Sequence, residues 1–151
     1  MILPVTLTIA AAAAVINLWL AFRIVPTRIR DKVLHGDAGN ERLALRMRAQ
    51  ANFVEYAPFV LILLGLIEIA GGSSFWLWIV GVVFVLARIA HGFGMDRPAP
   101  NPWRAGGALL TWAVMALLAG WALALAYQGG MPSASRSGTP LSPVDAGVRH
   151  G

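Results

Sequence analysis

The sequence predicts an all-α membrane protein, a bundle of four transmembrane helices, on three observations. Of its 151 residues, 58% are hydrophobic and only 13% charged, where a soluble domain carries about 25% charged residues. The apolar residues fall into four runs, each about long enough to cross the ~30 Å hydrocarbon of a bilayer. The basic residues cluster between those runs: of 12 Lys and Arg, seven lie from Arg23 to Arg48. A basic loop between apolar spans reads as a topology signal or a contact with anionic lipid, not as a nucleic-acid surface. The absence of cysteine removes disulfides, thiolate metal sites and a cysteine nucleophile.

The spans are expected over about residues 2–23, 41–70, 75–94 and 103–128. The first run, Ile2 to Phe22, is uncharged. A secretory signal peptide is its competitor, but no basic segment precedes it and the apolar run continues through Leu18, Trp19, Leu20 and Phe22, so a retained helix is expected. The polar connection from Arg23 to Arg48 contains Pro26 as a breaker and a turn cluster at His35-Gly36-Asp37-Ala38-Gly39-Asn40. Asn40 is placed to cap a second helix starting near Glu41. At 1.5 Å per residue that helix is about 45 Å long, so its first turns stand outside the hydrocarbon. Gly71-Gly72-Ser73-Ser74 is a tight uncharged turn. The third span starts at Phe75 and is stopped by prolines 98, 100 and 102. The fourth starts at Trp103 and is uncharged after Arg104. From residue 129 to 151 the composition turns to Gly, Ser and Pro, as in a disordered tail.

The connections after spans one and three, with the turns that flank them, hold ten of the 12 basic residues, and the connection after span two holds none. The positive-inside rule puts the two basic loops in the cytoplasm and both termini outside. The polar ends of spans two and three then meet in one leaflet.

Their polar residues share faces. On the second helix Arg48, Asn52 and Glu55 stand at i, i+4 and i+7, bordered by Tyr56; on the third, Arg88, His91 and Met95 stand at i, i+3 and i+7. Arg104 opens span four at the same boundary, and Arg23 and Arg28 close span one there. Arginines at span ends commonly snorkel or anchor to lipid phosphate, which is the reading for Arg23, Arg30, Lys32 and Arg97. Glu55 lies deeper, and a buried carboxylate must be paired or protonated. At this point it is either half of an internal ion pair, with Arg88 for instance, or part of a site. His91 is a hydrogen-bonded packing histidine or a functional one. Glu68 is read as a residue at the opposite membrane surface. His35 and His150 lie in a loop and in the tail, so no metal site is expected. Gly106-Gly107 reads as a close helix contact, and the tryptophans as interfacial or packing residues. Several arginines with one carboxylate and amides suit a small zwitterion of excess negative charge, such as glutathione.

The run Arg48-Ala49-Gln50-x-Asn52-x-x-Glu55-Tyr56-x-Pro58 resembles the second-helix signature of the MAPEG family, the membrane-associated proteins in eicosanoid and glutathione metabolism. The four spans, the basic first loop, Arg88-x-x-His91 and an arginine opening span four resemble it too, over Ile2 to about Gln128. The likeness is to the bacterial branch, hence an inner-membrane location. It implies a homotrimer with glutathione sites between neighbouring subunits near the cytoplasmic face. Arg48, Asn52, Glu55 and Tyr56 would line the site, with Gln50 nearby, Arg28 from the first helix, and Arg88 and His91 from the third. Arg104 would stabilise the glutathione thiolate. The chain departs from several eukaryotic members at Met95, where they have tyrosine, and at Ala105, where a hydroxyl residue stands, so one thiol-directed hydrogen bond is missing.

Three functions are thus expected to compete. The first is a glutathione-dependent transferase or peroxidase acting on lipophilic electrophiles that enter from the bilayer. The second is a binding or carrier protein for a small anion or amphiphile, and the third a structural membrane subunit whose polar cluster specifies assembly.

Overall fold

Four helices follow one another in the computed structural model, which describes residues 2–130: α1 (Pro4–Asp31), α2 (Glu41–Gly71), α3 (Phe75–Gly94) and α4 (Pro102–Gly130). All four are long and apolar enough to cross a membrane. The predicted all-α four-helix class is therefore the observed one. The expected tail, apart from the two residues that extend α4 to Gly130, lies outside the described residues.

Each helix starts where a side chain can take up its free N–H groups. Asn40 accepts from Leu43 N at 3.0 Å, as its position in the sequence suggests. Ser74 accepts from Leu77 N at 3.2 Å. Asn101 accepts from Trp103 N at 2.9 Å, which lets α4 begin at Pro102, one residue before the expected start; proline fits the first helical position because its missing N–H would be unpaired there anyway. The cap of α1 comes from across the bundle. Glu68, buried near the end of α2, accepts from Val5 N at 2.9 Å, Thr6 N at 2.8 Å and the Ser73 hydroxyl at 2.7 Å. Sequence reasoning placed Glu68 at the far membrane surface; the structure turns it inward, where exposed N–H groups and a helix N-terminus attract a carboxylate.

The first span is longer than expected. Pro26 does not break α1, which runs through it to Asp31. Proline removes one N–H from the helix ladder, and the turn it disturbs is held from α2: Arg46 Nη1 donates to the Arg23 carbonyl at 2.7 Å and to the Thr27 hydroxyl at 3.1 Å. The helix ends at Lys32, in the left-handed conformation, where Arg28 donates to the carbonyls of Val33 and Leu34, both at 3.3 Å.

The inner pair is α2 and α3, each touching all the other helices, whereas α1 and α4 do not meet. The buried stripe of α1 is Val5, Ile9, Ala13, Ile16 and Leu20, at helical spacing, and it belongs to one core with Phe53, Val60 and Leu64 of α2 and Phe84 of α3, which continues beyond them to Leu118 of α4. Large apolar residues on the outer faces (Leu7, Val15, Phe59, Leu86, Leu117 among them) are exposed, as helices facing acyl chains require. The closest approach is between α3 and α4. Gly94 lies against the backbone of Arg104 and Trp103, and a Cβ on Gly107 would stand 2.6 Å from the Ala87 carbonyl and 2.8 Å from His91 Cβ. The expected close contact at Gly106-Gly107 is thus made by Gly107 alone; a Cβ on Gly106 would meet nothing within 4 Å.

Gly107→Ala should therefore destabilise the protein by about 1–3 kcal/mol, because rigid backbone must move. Gly106→Ala should be neutral or stabilise by up to ~1 kcal/mol through helix propensity. Thermal unfolding in detergent micelles, followed by tryptophan fluorescence, checks the opposite signs.

Candidate functional site

The polar faces read from the sequence converge at the end of the bundle where α1 ends, α2 begins, α3 ends and α4 begins. A cavity of about 630 Å³ opens there on the flank of the bundle, within the ~300–1,000 Å³ usual for small-molecule sites. Arg48, Asn52, Glu55 and Tyr56 of α2 line one side, and His91 of α3 with Met95 just after it the back. Arg104, Ala105, Ala108 and Trp112 of α4 line the other, and Ala99-Pro100-Asn101 closes the end. Arg48, Glu55 and Arg104 are exposed to it.

Behind this lining sits Arg88. Its side chain is 1% exposed, with no carboxylate within 4 Å among the described residues. Instead Nη2 donates to Asn52 Oδ1 at 3.0 Å, Nη1 donates to the Thr111 hydroxyl at 3.4 Å, and the guanidinium stands 5.4 Å from the centre of the Phe53 ring. The proposed Glu55–Arg88 pair is thus not formed. A guanidinium has only donors, so it orients the Asn52 amide: the oxygen turns inward and the two N–H groups are left for the cavity. Arg88 is outside the lining and acts through Asn52. Its uncompensated charge in a low-dielectric setting also makes the cavity attractive to anions.

His91 is held as tightly. It is 5% exposed, and its Nδ1 lies 3.0 Å from the Arg104 carbonyl. A carbonyl only accepts, so Nδ1 carries the proton and Nε2 is the acceptor of the neutral ring. The contact runs across the Gly107 crossing, so the packing of α3 on α4 also sets where the Arg104 side chain starts. The tilted Tyr56 and Trp112 rings, 6.5 Å apart, form an aromatic wall. Trp112, read as a packing residue, lines the cavity; nothing in its local sequence distinguishes it from the other tryptophans.

Two predicted site residues lie elsewhere in the chain. Arg28 caps the end of α1, with Nη2 3.3 Å from Met47 Sδ, and lines a separate hollow of about 540 Å³. Gln50 is half-buried on α2 and outside the cavity lining. Arg23 is no lipid anchor: it pairs with Asp96, donates to the Gly92 carbonyl at 3.0 Å, and stacks over Trp19 at 4.5 Å. Arg46 also reaches Asp96, at 3.2 Å. This clasp ties α1 and α2 to the connection that closes the cavity, and sequence reasoning missed Asp96 because it lies among prolines. No cluster of three or more metal-ligand side chains occurs among the described residues.

A four-helix membrane protein with a polar cavity at one end of the bundle is the class so defined. The sequence pattern of the MAPEG family matches residues 6–124, and the chain belongs to that family, as the second-helix signature implied. It is similar to the inner membrane protein YecN of Escherichia coli strain K12, 28% identical over 109 residues, which cover 72% of this chain and 82% of YecN. YecN of E. coli O6:H1 strain CFT073 is equally similar. The protein is thus a multi-pass membrane protein.

If Arg88 and Asn52 work as a unit, Asn52→Leu should cost about 1.5–3 kcal/mol by leaving a buried charge short of an acceptor. The Asn52→Ala, Arg88→Met double-mutant cycle should show a coupling of ~0.5–3 kcal/mol. Denaturation midpoints in micelles measure both.

Proposed function

We propose that the cavity binds glutathione and that the protein transfers it to lipophilic electrophiles, with Arg104 stabilising the thiolate. The observation that carries this reading is the convergence of Arg48, Asn52, Glu55, Tyr56, His91 and Arg104 on one cavity. Each supplies what a tripeptide with two carboxylates, an ammonium and two amides asks for. Arginine forks take carboxylates, Glu55 takes the ammonium, and the Asn52 N–H groups take a carbonyl. A guanidinium beside the sulfur favours the nucleophilic thiolate, so no protein nucleophile is needed. The sulfur then attacks an electrophilic carbon, the C–S bond forms, and the leaving group departs with its electron pair, the thiol proton having gone to water. With a hydroperoxide, two glutathiones would be oxidised to the disulfide while the hydroperoxide is reduced to an alcohol and water.

Glutathione serves here as co-substrate, without a metal, and the lipophilic substrate comes from the bilayer. A homotrimer with sites between neighbouring subunits gives Arg28 and Gln50, both outside the protomer's cavity, a way to reach a site. The likeness to YecN and the basic loops support an inner-membrane protein with loops one and three in the cytoplasm and both termini outside. One observation favours a second reading, binding or carriage without turnover: Met95 and Ala105 line the cavity beside Arg104, where hydroxyl groups would otherwise assist the sulfur.

Purified protein with glutathione and an activated aryl halide should give the thioether, followed by absorbance. Arg104→Ala should lower kcat about 10–100-fold, ~1.4–2.7 kcal/mol, and unchanged turnover would rule out the thiolate role. Arg48→Ala should weaken glutathione binding about tenfold by calorimetry, the loss of one charge-assisted contact. Binding without turnover in the unaltered protein selects the second reading, and no binding removes both.

A further inference from the structure

A second cavity, of about 590 Å³, lies on the other side of the α3–α4 crossing, and its chemistry differs from that of the first. Leu86, Ile89 and Phe93 of α3 face Leu110 of α4 across it, Gly106 forms part of its floor, and Arg97 and Trp103 stand at its mouth. Arg97 is the only charged residue in that lining, among the described residues. Its neighbour in sequence, Asp96, is taken by Arg23 and Arg46, and Arg97 itself has no carboxylate within 4 Å among the described residues. The groove is therefore an apolar slot with one uncompensated cation at its open end.

We propose that this groove is a binding site for an anionic phospholipid of the surrounding bilayer, with one acyl chain in the slot and the headgroup at Arg97. Three features fit that occupant. From Trp103 to Leu110 the α4 axis rises about 10 Å, inside the ~15 Å of hydrocarbon in one leaflet, so the slot takes a chain from the leaflet at the basic end without crossing the midplane. Tryptophan at its mouth is the residue that settles at the headgroup level. A free arginine at that depth meets a net-negative headgroup at close range. The slot does not communicate with the polar cavity. At the crossing, Gly107 lies against the Ala87 carbonyl and His91 too closely to admit even a methyl group. A chain held here is thus a structural lipid against the outer wall of the site and not a reactant within it.

Gly106 makes the test clean, since a side chain added there meets no protein atom within 4 Å at its Cβ and grows into the slot. The full chain, purified in detergent, is titrated with phosphatidylglycerol and with phosphatidylcholine of identical chains, and retained lipid is counted by native mass spectrometry. Unaltered protein should retain phosphatidylglycerol several-fold better than phosphatidylcholine. Gly106→Leu should reduce retention of phosphatidylglycerol several-fold, and Arg97→Gln should remove the preference while leaving weak binding of both lipids. Arg28 and Lys32 at the separate hollow give a background common to all three proteins. Retention unchanged in both variants overturns the proposal. A changed subunit number in Gly106→Leu also overturns it, because the face would then be a contact between copies, as does displacement of phosphatidylglycerol by an equimolar free fatty acid.

Discussion

A guanidinium shut away from water with no counter-charge is the constraint on which the rest of this structure depends. Arg88 can be buried only if neutral acceptors and an aromatic face surround it, and these come from the two helices on either side of α3: Asn52 and Phe53 from α2, Thr111 from α4. Burial of an unpaired charge is costly, and partial hydrogen bonding lowers that cost without removing it. The residual field is directed at the neighbouring cavity. There the same bond that satisfies Arg88 leaves the Asn52 amide offering hydrogens. One buried side chain thus fixes the meeting of three helices and biases the site toward anions.

The rest of the site inherits its geometry from the α3–α4 crossing. Gly94 and Gly107 bring the two backbones together, and across that contact the His91 ring reaches the Arg104 carbonyl. Arg104, in the first turn of α4, is therefore held through its main chain, while its side chain remains free in the cavity. The ionic clasp of Arg23, Asp96 and Arg46 fastens the connection between those helices to α1 and α2. Polar cavity and apolar groove sit back to back on this crossing, and their linings share no residue.

Much of this was legible in the sequence, and the parts that were not have a common physical reason. The four spans, the Asn40 cap and the shared face of Arg48, Asn52 and Glu55 follow from local signals: apolar length, capping chemistry and helical period. So did the meeting of the α2 and α3 polar ends, because the positions of basic loops carry it. What failed were pairings between residues far apart in the chain. Glu68 finds the N-terminus of α1 63 residues away in sequence. Arg23 finds Asp96, and Pro26 survives within a helix because Arg46 supports its turn. The family likeness makes Arg88 a ligand position, yet in this structure it lies one layer deeper, outside the cavity lining. A wheel gives direction around an axis but not the depth at which a neighbouring helix intervenes.

The cap that Glu68 places on Val5 and Thr6 also bears on how the bundle can move. Because the carboxylate grips two adjacent amides, α1 cannot slide along α2 by even one residue without losing both, and at the opposite end Arg46 holds the Arg23 carbonyl. The first helix is pinned top and bottom and cannot act as a piston. The fourth has no such second anchor: beyond Thr111 it makes no side-chain hydrogen bond to the other helices among the described residues, and apolar packing from Val114 and Leu118 to Trp121 and Leu125 holds it. Along α4 the cavity wall is therefore kept in place by apolar side chains, with no polar lock past its third turn.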